Sequence, residues 1–183
     1  YNNDEMVEPL DIITPSADVL ILAGDIGSLY KFDQLCYFIK NIVKYFKYTL
    51  FVPGNNEYYS QVGYQYLNYE ILTERLEKLE NMFDNFKVLN CDCVVIENIC
   101  ITGATLWSNV DCEIPKYIVR IPDMTTEKYL KLFNEHKEYI KKSIEYCQEN
   151  NLKLLCITHH PPTEKTITKK RRARFKTLYY SDL

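Results

Sequence analysis

Three short hydrophobic stretches of the chain each end in a residue type that binds metal ions in proteins. Asp25 lies in "ILAGDIG", Asn55 lies in "VPGNNEYY", and His159 lies in "ITHHPP". A carboxylate can bridge two cations, and an amide oxygen and an imidazole complete a mixed oxygen and nitrogen shell that suits Mn, Fe or Zn. Two such ions about 3.5–4 Å apart activate a water molecule and clamp a phosphate group during its displacement. The residue types therefore indicate metal-assisted hydrolysis of phosphate esters.

Each of these residues also has an ordinary explanation. Asp25 can cap the turn that follows Gly24, and Asn55 can occupy a left-handed turn position, which asparagine tolerates. His159 and His160, which precede two prolines, can belong to an ordinary loop. Each signal is weak by itself, but the order of three such residues, each at a strand end, is much harder to explain by chance.

The elements that must position these residues alternate between strands and helices. The runs 18–23, 48–52 and 153–158 are short, continuous and apolar, which is typical of strands buried on both faces of a sheet. Because ligands of open α/β sheets bind at the carboxyl ends of the strands, the three motifs are expected at one edge of a sheet.

Helical periodicity and turn residues complete this α/β pattern. Helices are expected over 33–47, over about 64–83, and from Thr125 or Thr126 to about 150. Further strands are expected at 86–90 and 93–103, where Glu97 and Asn98 form a candidate two-residue hairpin turn. The expected apolar stripe of the last helix is Leu130, Phe133, Ile140, Ile144 and Cys147. His136 lies off that stripe, which predicts an exposed surface histidine.

The composition is that of a chain that can bury a core and has no strong charge bias. Of the 183 residues, 46% are hydrophobic and 26% are charged, with a formal net charge of -3. This length predicts one domain over residues 1–183. The charge argues against extensive nucleic-acid or membrane binding, and no apolar stretch is long enough to span a membrane. Seven cysteines, mostly in apolar segments, predict free buried thiols in a reducing cytoplasm.

A basic run, "KKRRARFK", occupies residues 169–176 and contains six cations. It has three interpretations. It is a solvated loop, or a nuclear-localisation or nucleic-acid patch, or a patch near the active edge that attracts phosphate-bearing substrates.

The motifs together resemble those of the calcineurin-like metallophosphoesterase family. That family carries, in order, DxH, GDxx, GNHE, a histidine in an "SH" or "THH" loop, and GHxH. This chain has "GDIG" at 24–27, "GNNE" at 54–57 and "THHPP" at 158–162. The segments "TGATLWS" at 102–108 and "YYSDL" at 179–183 are similar to segments of one bacterial and viral branch. The resemblance implies a layered α/β sandwich, with central sheets flanked by helices.

The resemblance also implies a role for each matching residue. Asp25 would be the carboxylate that bridges two metal ions, and Asn55 and His159 would bind the second ion, with His160 the less favoured ligand. Glu57 would support the "GNNE" loop. The cofactors would be divalent ions (Mn, Fe, Zn or Mg), and the substrate would be a phosphate monoester or diester.

The chain departs from the family pattern in two ways. DxH and GHxH do not occur in it, so the first metal site would keep only Asp25, and we expect a truncated domain that lacks terminal strands or has its sheet edges covered by a partner chain. Asn56 stands where the family has the histidine that protonates the leaving group. The resulting hypothesis is an impaired phosphoesterase.

Two alternatives remain open. One is a non-catalytic protein of the same fold with a structural or interaction role, located in the cytoplasm or in a viral particle. The other, weaker one is a nucleic-acid-binding module that acts through residues 169–176. Metal content distinguishes the non-catalytic protein from an enzyme. Salt-dependent binding to nucleic acid would identify the nucleic-acid-binding module.

Overall fold

The computed structural model describes residues 6–166, 176–181 and 183. The chain divides into two compact units. Unit 1 comprises residues 1–88 and 120–123, and unit 2 comprises residues 89–119 and 124–183. The predicted α/β class is confirmed, with two sheets and three α-helices in the described residues. The expectation of one domain over residues 1–183 stays a prediction.

Unit 1 contains a parallel sheet of three strands. The strands are β1 (Val19–Leu22), β2 (Tyr48–Phe51) and β3 (Phe86–Val88), in that spatial order. Helix α1 (Phe32–Ile42) connects β1 to β2, and helix α2 (Tyr69–Glu80) connects β2 to β3. Because the strands are parallel, the loops that follow β1 and β2 leave the sheet at the same edge.

The helices of unit 1 form where apolar spacing and capping residues favour them. In α2, Leu72, Leu76 and Leu79 recur at helical spacing and are buried, and the side chain of Asn68 accepts the N–H of Ile71 at 2.9 Å. Helix α1 ends earlier than predicted, because Val43–Tyr45 continue it as a 3-10 turn.

Unit 2 contains a mixed sheet of three strands and one long helix. Strands β4 (Asp92–Ile96) and β5 (Ile99–Ala104) are antiparallel, and β6 (Lys153–Thr158) pairs with β5 in parallel. The predicted hairpin turn is confirmed, since Ile96 pairs with Ile99 and Glu97 has a left-handed φ of 56°. Helix α3 (Thr126–Glu149) begins after Thr125, whose hydroxyl accepts the N–H of Lys128.

Two of the apolar strands are less buried than their sequences predict. Ile21 in β1 is 37% exposed and Leu155 in β6 is 42% exposed. Among the residues that the structure describes, each strand lies at the edge of its sheet, with a neighbouring strand on one side only. Continuous apolar runs therefore predicted the strands correctly but overestimated their burial.

The cysteines show a similar mixture of burial. Cys100 and Cys147 are buried, whereas Cys156 is exposed, and all seven are free thiols. In the described part of the chain, no helix is long and apolar enough to cross a membrane.

The buried face of α3 is rotated from the predicted stripe. Phe133, Ile140 and Cys147 are buried as expected, but Ile144 is 41% exposed. The predicted exposure of His136 is wrong, because this residue is only 4% exposed. The remaining positions follow the same rotation: Leu130 is half-buried, and Tyr129 and Ser143 are buried.

His136 is buried because its ring has a specific backbone partner. Its Nδ1 atom accepts the N–H of Leu106 at 3.1 Å, and Leu106 adopts a left-handed φ of 51°. A buried polar group is tolerated when it is hydrogen-bonded in this way. Because an imidazolium has no acceptor nitrogen, this contact requires the neutral ring.

Burial lowers the pKa of His136 to about 4, so acid should destabilise unit 2. The unfolded chain, with a histidine pKa near 6.5, binds more protons than the folded chain between pH 6.5 and 4, so stability is lost as pH falls through this window. We predict that His136→Asn, whose side-chain oxygen can replace the acceptor, reduces the loss of unfolding free energy between pH 7 and pH 4 by about 3 kcal/mol. Urea unfolding of both proteins at both pH values measures this difference. An equal loss in the two proteins would contradict it.

Candidate functional site

The loops after β1 and β2 bring Asp25 and Asn56 into direct contact. The Oδ1 atom of Asp25 accepts the backbone N–H of Asn56 at 3.1 Å. Its Oδ2 atom accepts the side-chain amide of Asn56 at 2.5 Å. Both oxygens of the predicted bridging carboxylate therefore accept a hydrogen bond from Asn56. Asp25 is half-buried and Asn56 is exposed.

A second carboxylate, that of Glu57, lies fully buried beneath this pair. Its Oε2 atom accepts the backbone N–H groups of Asp25 at 2.9 Å and of Gly54 at 2.7 Å. Its Oε1 atom accepts those of Ile26 at 2.6 Å and of Gly27 at 3.2 Å. Four backbone donors from two loops thus converge on one side chain, which fixes the position of each loop relative to the other.

The backbone conformation after β1 explains why these donors converge. Gly24 and Asp25 have left-handed φ values of 90° and 59°. A turn of this kind directs successive N–H groups into one concavity, which binds an anionic group. The left-handed conformation is unfavourable for an aspartate, typically by about 1 kcal/mol or more. The hydrogen bonds to Glu57 offset that strain.

Two opposing effects act on the ionisation of Glu57. Burial raises its pKa, and the negative charge of Asp25 adds to this effect, whereas the backbone amides of Asp25, Gly27 and Ile26 lower it. Only the ionised carboxylate is free of a proton on both oxygens and can accept all four donors fully. The net effect is a raised pKa, because burial outweighs the backbone amides, although the four donors favour the ionised carboxylate.

Asn55 is oriented by an aromatic neighbour. Its Nδ2 atom donates to the hydroxyl of Tyr59 at 2.7 Å, and this assignment leaves the amide oxygen as the atom that can ligate a cation. The guanidinium of Arg120 lies over the Tyr59 ring, 5.2 Å from its centroid. The backbone carbonyl of Arg120 accepts the N–H of Ser60 at 2.8 Å, which holds the segment 120–123 to this loop.

Asp25, Asn56, Tyr59 and Arg120 line a cavity of about 170 Å³, and Asn55 is not among its lining residues. It combines a carboxylate, an amide and a guanidinium, which are groups that bind metal ions and phosphate oxygens. We call it the Asp25 cavity, and its lining residues are Asp25, Gly27, Ser28, Asn56, Glu57, Tyr59, Gln61 and Arg120.

Arg120 is the residue that sequence reasoning missed. It lies in the irregular segment between β5 and α3, where one arginine in a loop forms no recognisable pattern. Its position beside Tyr59 depends on a backbone contact between segments 60 residues apart, at Ser60 and Arg120. Sequence spacing carries no signal for such a contact.

The predicted histidines lie in unit 2, directly after β6. The N–H of His159 donates to the carbonyl of Ala104 at 3.3 Å, and that of His160 donates to Thr105 at 3.0 Å. His160 is buried beside Trp107, with ring centroids 6.2 Å apart, and His159 is half-buried. Burial, followed by the neighbouring His159, lowers the pKa of His160 to about 3. His160 is thus a neutral core ring, and His159 is the more accessible imidazole.

The structure therefore groups the predicted residues in two sets. Asp25, Asn55, Asn56 and Glu57 lie together in unit 1, and His159 and His160 are adjacent in unit 2. The expectation that all three motifs lie at one edge of a single sheet is wrong, because β1 and β2 belong to the sheet of unit 1 and β6 belongs to the sheet of unit 2. A common site formed by both sets stays a prediction. The basic run is outside the described residues, except for Lys176 at its end.

Two residues of unit 1 carry oxygen donors of the kind that divalent ions accept, the carboxylate of Asp25 and the side-chain amide of Asn55. Their role as ligands of one ion stays a prediction. Within residues 6–166, 176–181 and 183, no three His, Cys, Asp or Glu side chains are grouped closely enough to hold a metal ion. A centre with two ions would need ligands beyond this set.

We predict that Glu57→Gln destabilises unit 1 by roughly 3 kcal/mol. The amide replaces one acceptor oxygen with a donor, so two of the four backbone N–H groups lose their partner, at about 1–3 kcal/mol each. The matched control is Glu80→Gln. The carboxylate of Glu80 accepts hydrogen bonds from the ammonium group of Lys87 and the N–H of Val88, but it is only partly buried. That change should cost less than about 1 kcal/mol. Equal losses in urea unfolding would contradict the role of Glu57.

Comparisons with known proteins identify a family and one relative. The family model described as calcineurin-like phosphoesterase matches residues 2–181. A protein of Acanthamoeba polyphaga mimivirus, described as uncharacterized protein L509, is 28% identical over 156 residues. The match covers 78% of this chain and 55% of that protein, so the chain spans about half the length of this relative. No solved structure is significantly similar to the chain.

Proposed function

The chain belongs to the calcineurin-like phosphoesterase family, and we propose that it contributes to a metal-dependent hydrolysis of phosphate monoesters or diesters that Asn56 impairs. The observation that supports this most directly is the Asp25 cavity, where a carboxylate and an arginine line the same small space. Metal-dependent hydrolysis of a phosphate ester needs both features. The carboxylate would hold the metal ion, and the positively charged arginine would bind the phosphate oxygens.

The proposed metal ligands are Asp25, Asn55 and His159. Their carboxylate, amide and imidazole donors suit one divalent ion such as Mn, Fe or Zn. When bound, such an ion polarises a phosphate oxygen and lowers the pKa of a coordinated water. The accessibility of His159, in contrast to the buried ring of His160, supports its choice as the nitrogen ligand.

Arg120 is the proposed phosphate-binding residue. Its guanidinium is planar and always charged, and it can form two parallel hydrogen bonds to phosphate oxygens. The Tyr59 ring beneath it restricts its orientation, so less side-chain freedom is lost when a substrate binds. Gln61 and Ser28 line the same cavity and provide further polar groups.

Asn56 positions Asp25 but cannot protonate a leaving group. Its backbone and side-chain amides donate to the two oxygens of Asp25, which holds this carboxylate in one orientation. An amide does not titrate near neutral pH and has no proton to transfer to a departing alkoxide. Esters whose leaving groups are stable as anions should therefore be the preferred substrates.

We predict that a protein containing this chain hydrolyses aryl phosphodiesters much faster than alkyl phosphodiesters. Asn56→His should accelerate alkyl ester cleavage more than aryl cleavage, by up to the 10²–10⁴-fold that a positioned general acid typically contributes. The measurement is kcat/KM for a matched aryl and alkyl pair, with Mn²⁺ present, in both proteins. Equal acceleration of both esters, or fast alkyl turnover with Asn56 in place, would show that another group supplies the proton.

We predict that the chain binds one divalent ion weakly, since the set holds three protein ligands at most. His159→Ala should abolish this binding, whereas His160→Ala should retain it while lowering stability, because the His160 ring packs beside Trp107. Calorimetric titration with Mn²⁺ and elemental analysis measure affinity and stoichiometry. Two tightly held ions per chain, or retention of the ion by His159→Ala, would contradict the ligand assignment.

A non-catalytic role is the second candidate, and one observation favours it. Both oxygens of Asp25 accept hydrogen bonds from Asn56, which gives this carboxylate a structural role within the loops. Such a protein would keep the fold as an interaction or structural element, in a virion or in a cell. Absence of hydrolysis by the wild-type protein and by Asn56→His, both with bound metal, would favour this role. Salt-dependent nucleic-acid binding through 169–176 remains a separate prediction.

A further inference from the structure

A second cavity in unit 1 lies beside the start of α1 and has a volume of about 440 Å³. This volume is within the range of pockets that hold small organic ligands. The residues that line it differ from those of the Asp25 cavity, although Tyr30 and Lys31 belong to the same connection between β1 and α1. We call it the α1 cavity, and its lining residues are Tyr30, Lys31, Phe32, Asp33, Gln34, Tyr64, Arg75 and Lys78.

The charge of the α1 cavity is predominantly positive. Lys31, Arg75 and Lys78 contribute three cations, and Asp33 contributes one carboxylate. An excess of positive charge in a concave surface raises the local concentration of anions. The expected ligand therefore carries negative charge.

Arg75 is held in place before any ligand binds. Its Nη1 atom donates to the carbonyl of Leu29 at 2.5 Å, and its guanidinium lies 5.7 Å from the centroid of the Phe32 ring. The ammonium group of Lys78 lies 5.5 Å from the same ring. Arg75 and Lys78 thus both lie beside the ring of Phe32. Because these two side chains are already positioned, less of their conformational freedom is lost when an anionic ligand binds.

The backbone of α1 reinforces this positive field. The 11-residue helix begins after Lys31, which makes no side-chain capping hydrogen bond. The first-turn N–H groups of a helix carry partial positive charge and bind phosphate groups. The cavity therefore combines side-chain cations with the positive end of a helix.

The α1 cavity also offers aromatic surface for a flat ring. Tyr64 is 45% exposed, so its ring is accessible to a ligand. The hydroxyl of Tyr30 donates to the carbonyl of Leu67 at 2.8 Å, which fixes this second ring. Bases stack on accessible aromatic side chains without sequence preference.

We infer that the α1 cavity binds a nucleoside phosphate, with the phosphate at Lys31, Arg75 and Lys78 and the base against Tyr64. This goes beyond the proposed hydrolysis, since it requires neither a metal ion nor Asp25. A bound nucleotide is either a free mononucleotide or the end of an oligonucleotide, and both present the same phosphate and base.

The test is calorimetric binding of adenosine monophosphate in the presence of EDTA, which removes metal-dependent hydrolysis from the measurement. Adenosine and inorganic phosphate should each bind at least tenfold more weakly than the nucleotide. Lys31→Gln and Lys78→Gln should each weaken nucleotide binding about fivefold to tenfold, as expected for the loss of one charge-assisted contact. Lys40→Gln, on the exposed surface of α1, is the matched control and should have no effect.

Two further variants test the sign of the charge and the aromatic contact. Asp33→Asn should strengthen nucleotide binding, because it removes the one carboxylate of the cavity. Tyr64→Ala should weaken binding of the nucleotide but not of inorganic phosphate. A single-stranded oligonucleotide that binds at least tenfold more tightly than the mononucleotide, with the same dependence on Lys78, would identify a strand end as the source of the ligand.

Three results would overturn the inference. The first is the absence of nucleotide binding at millimolar concentration. The second is binding that Asp25→Asn abolishes and Lys78→Gln leaves intact, which would place the nucleotide in the Asp25 cavity. The third is an equal effect of Lys40→Gln and Lys78→Gln, which would indicate non-specific attraction to surface charge. None of these results depends on whether the protein hydrolyses phosphate esters.

Discussion

The buried carboxylate of Glu57 is the interaction on which the candidate site depends. It accepts four backbone N–H groups, three from the loop after β1 and one from the loop after β2. Backbone donors without partners are costly inside a protein, so the two loops cannot separate without exposing several of them. The contact between Asp25 and Asn56 follows from this arrangement, because Glu57 holds together the two loops that carry these residues.

This arrangement separates the structural and chemical parts of the motif. Glu57 holds the two loops together, whereas Asn56 contacts the carboxylate of Asp25. An amide at this position gives Asp25 two hydrogen bonds and supplies no titratable proton. Under the proposed function, the chain would keep the loop geometry while lacking this proton donor, and the nature of the leaving group would determine how much activity remains.

Local sequence patterns predicted the elements well, because strands, caps and hairpin turns depend on near neighbours. The Thr125 cap and the Glu97 turn are examples. Burial was predicted less well, since it depends on distant segments. His136 is buried because it meets the N–H of Leu106, and Arg120 reaches Tyr59 through a long-range contact. The resemblance to a family indicated Glu57, but only the folded backbone shows that four donors meet there.

The most direct test of the role of Glu57 is native-state hydrogen exchange at the amides of Asp25, Ile26, Gly27 and Gly54. If Glu57 holds both loops, these four amides should exchange through a common opening and share one opening free energy, although they come from two loops. Addition of Mn²⁺ should raise protection of all four together, because an ion bound at the proposed ligands Asp25 and Asn55 would stabilise the folded arrangement of the loops. Independent exchange of Gly54 and the three amides of the first loop would contradict the central role of Glu57.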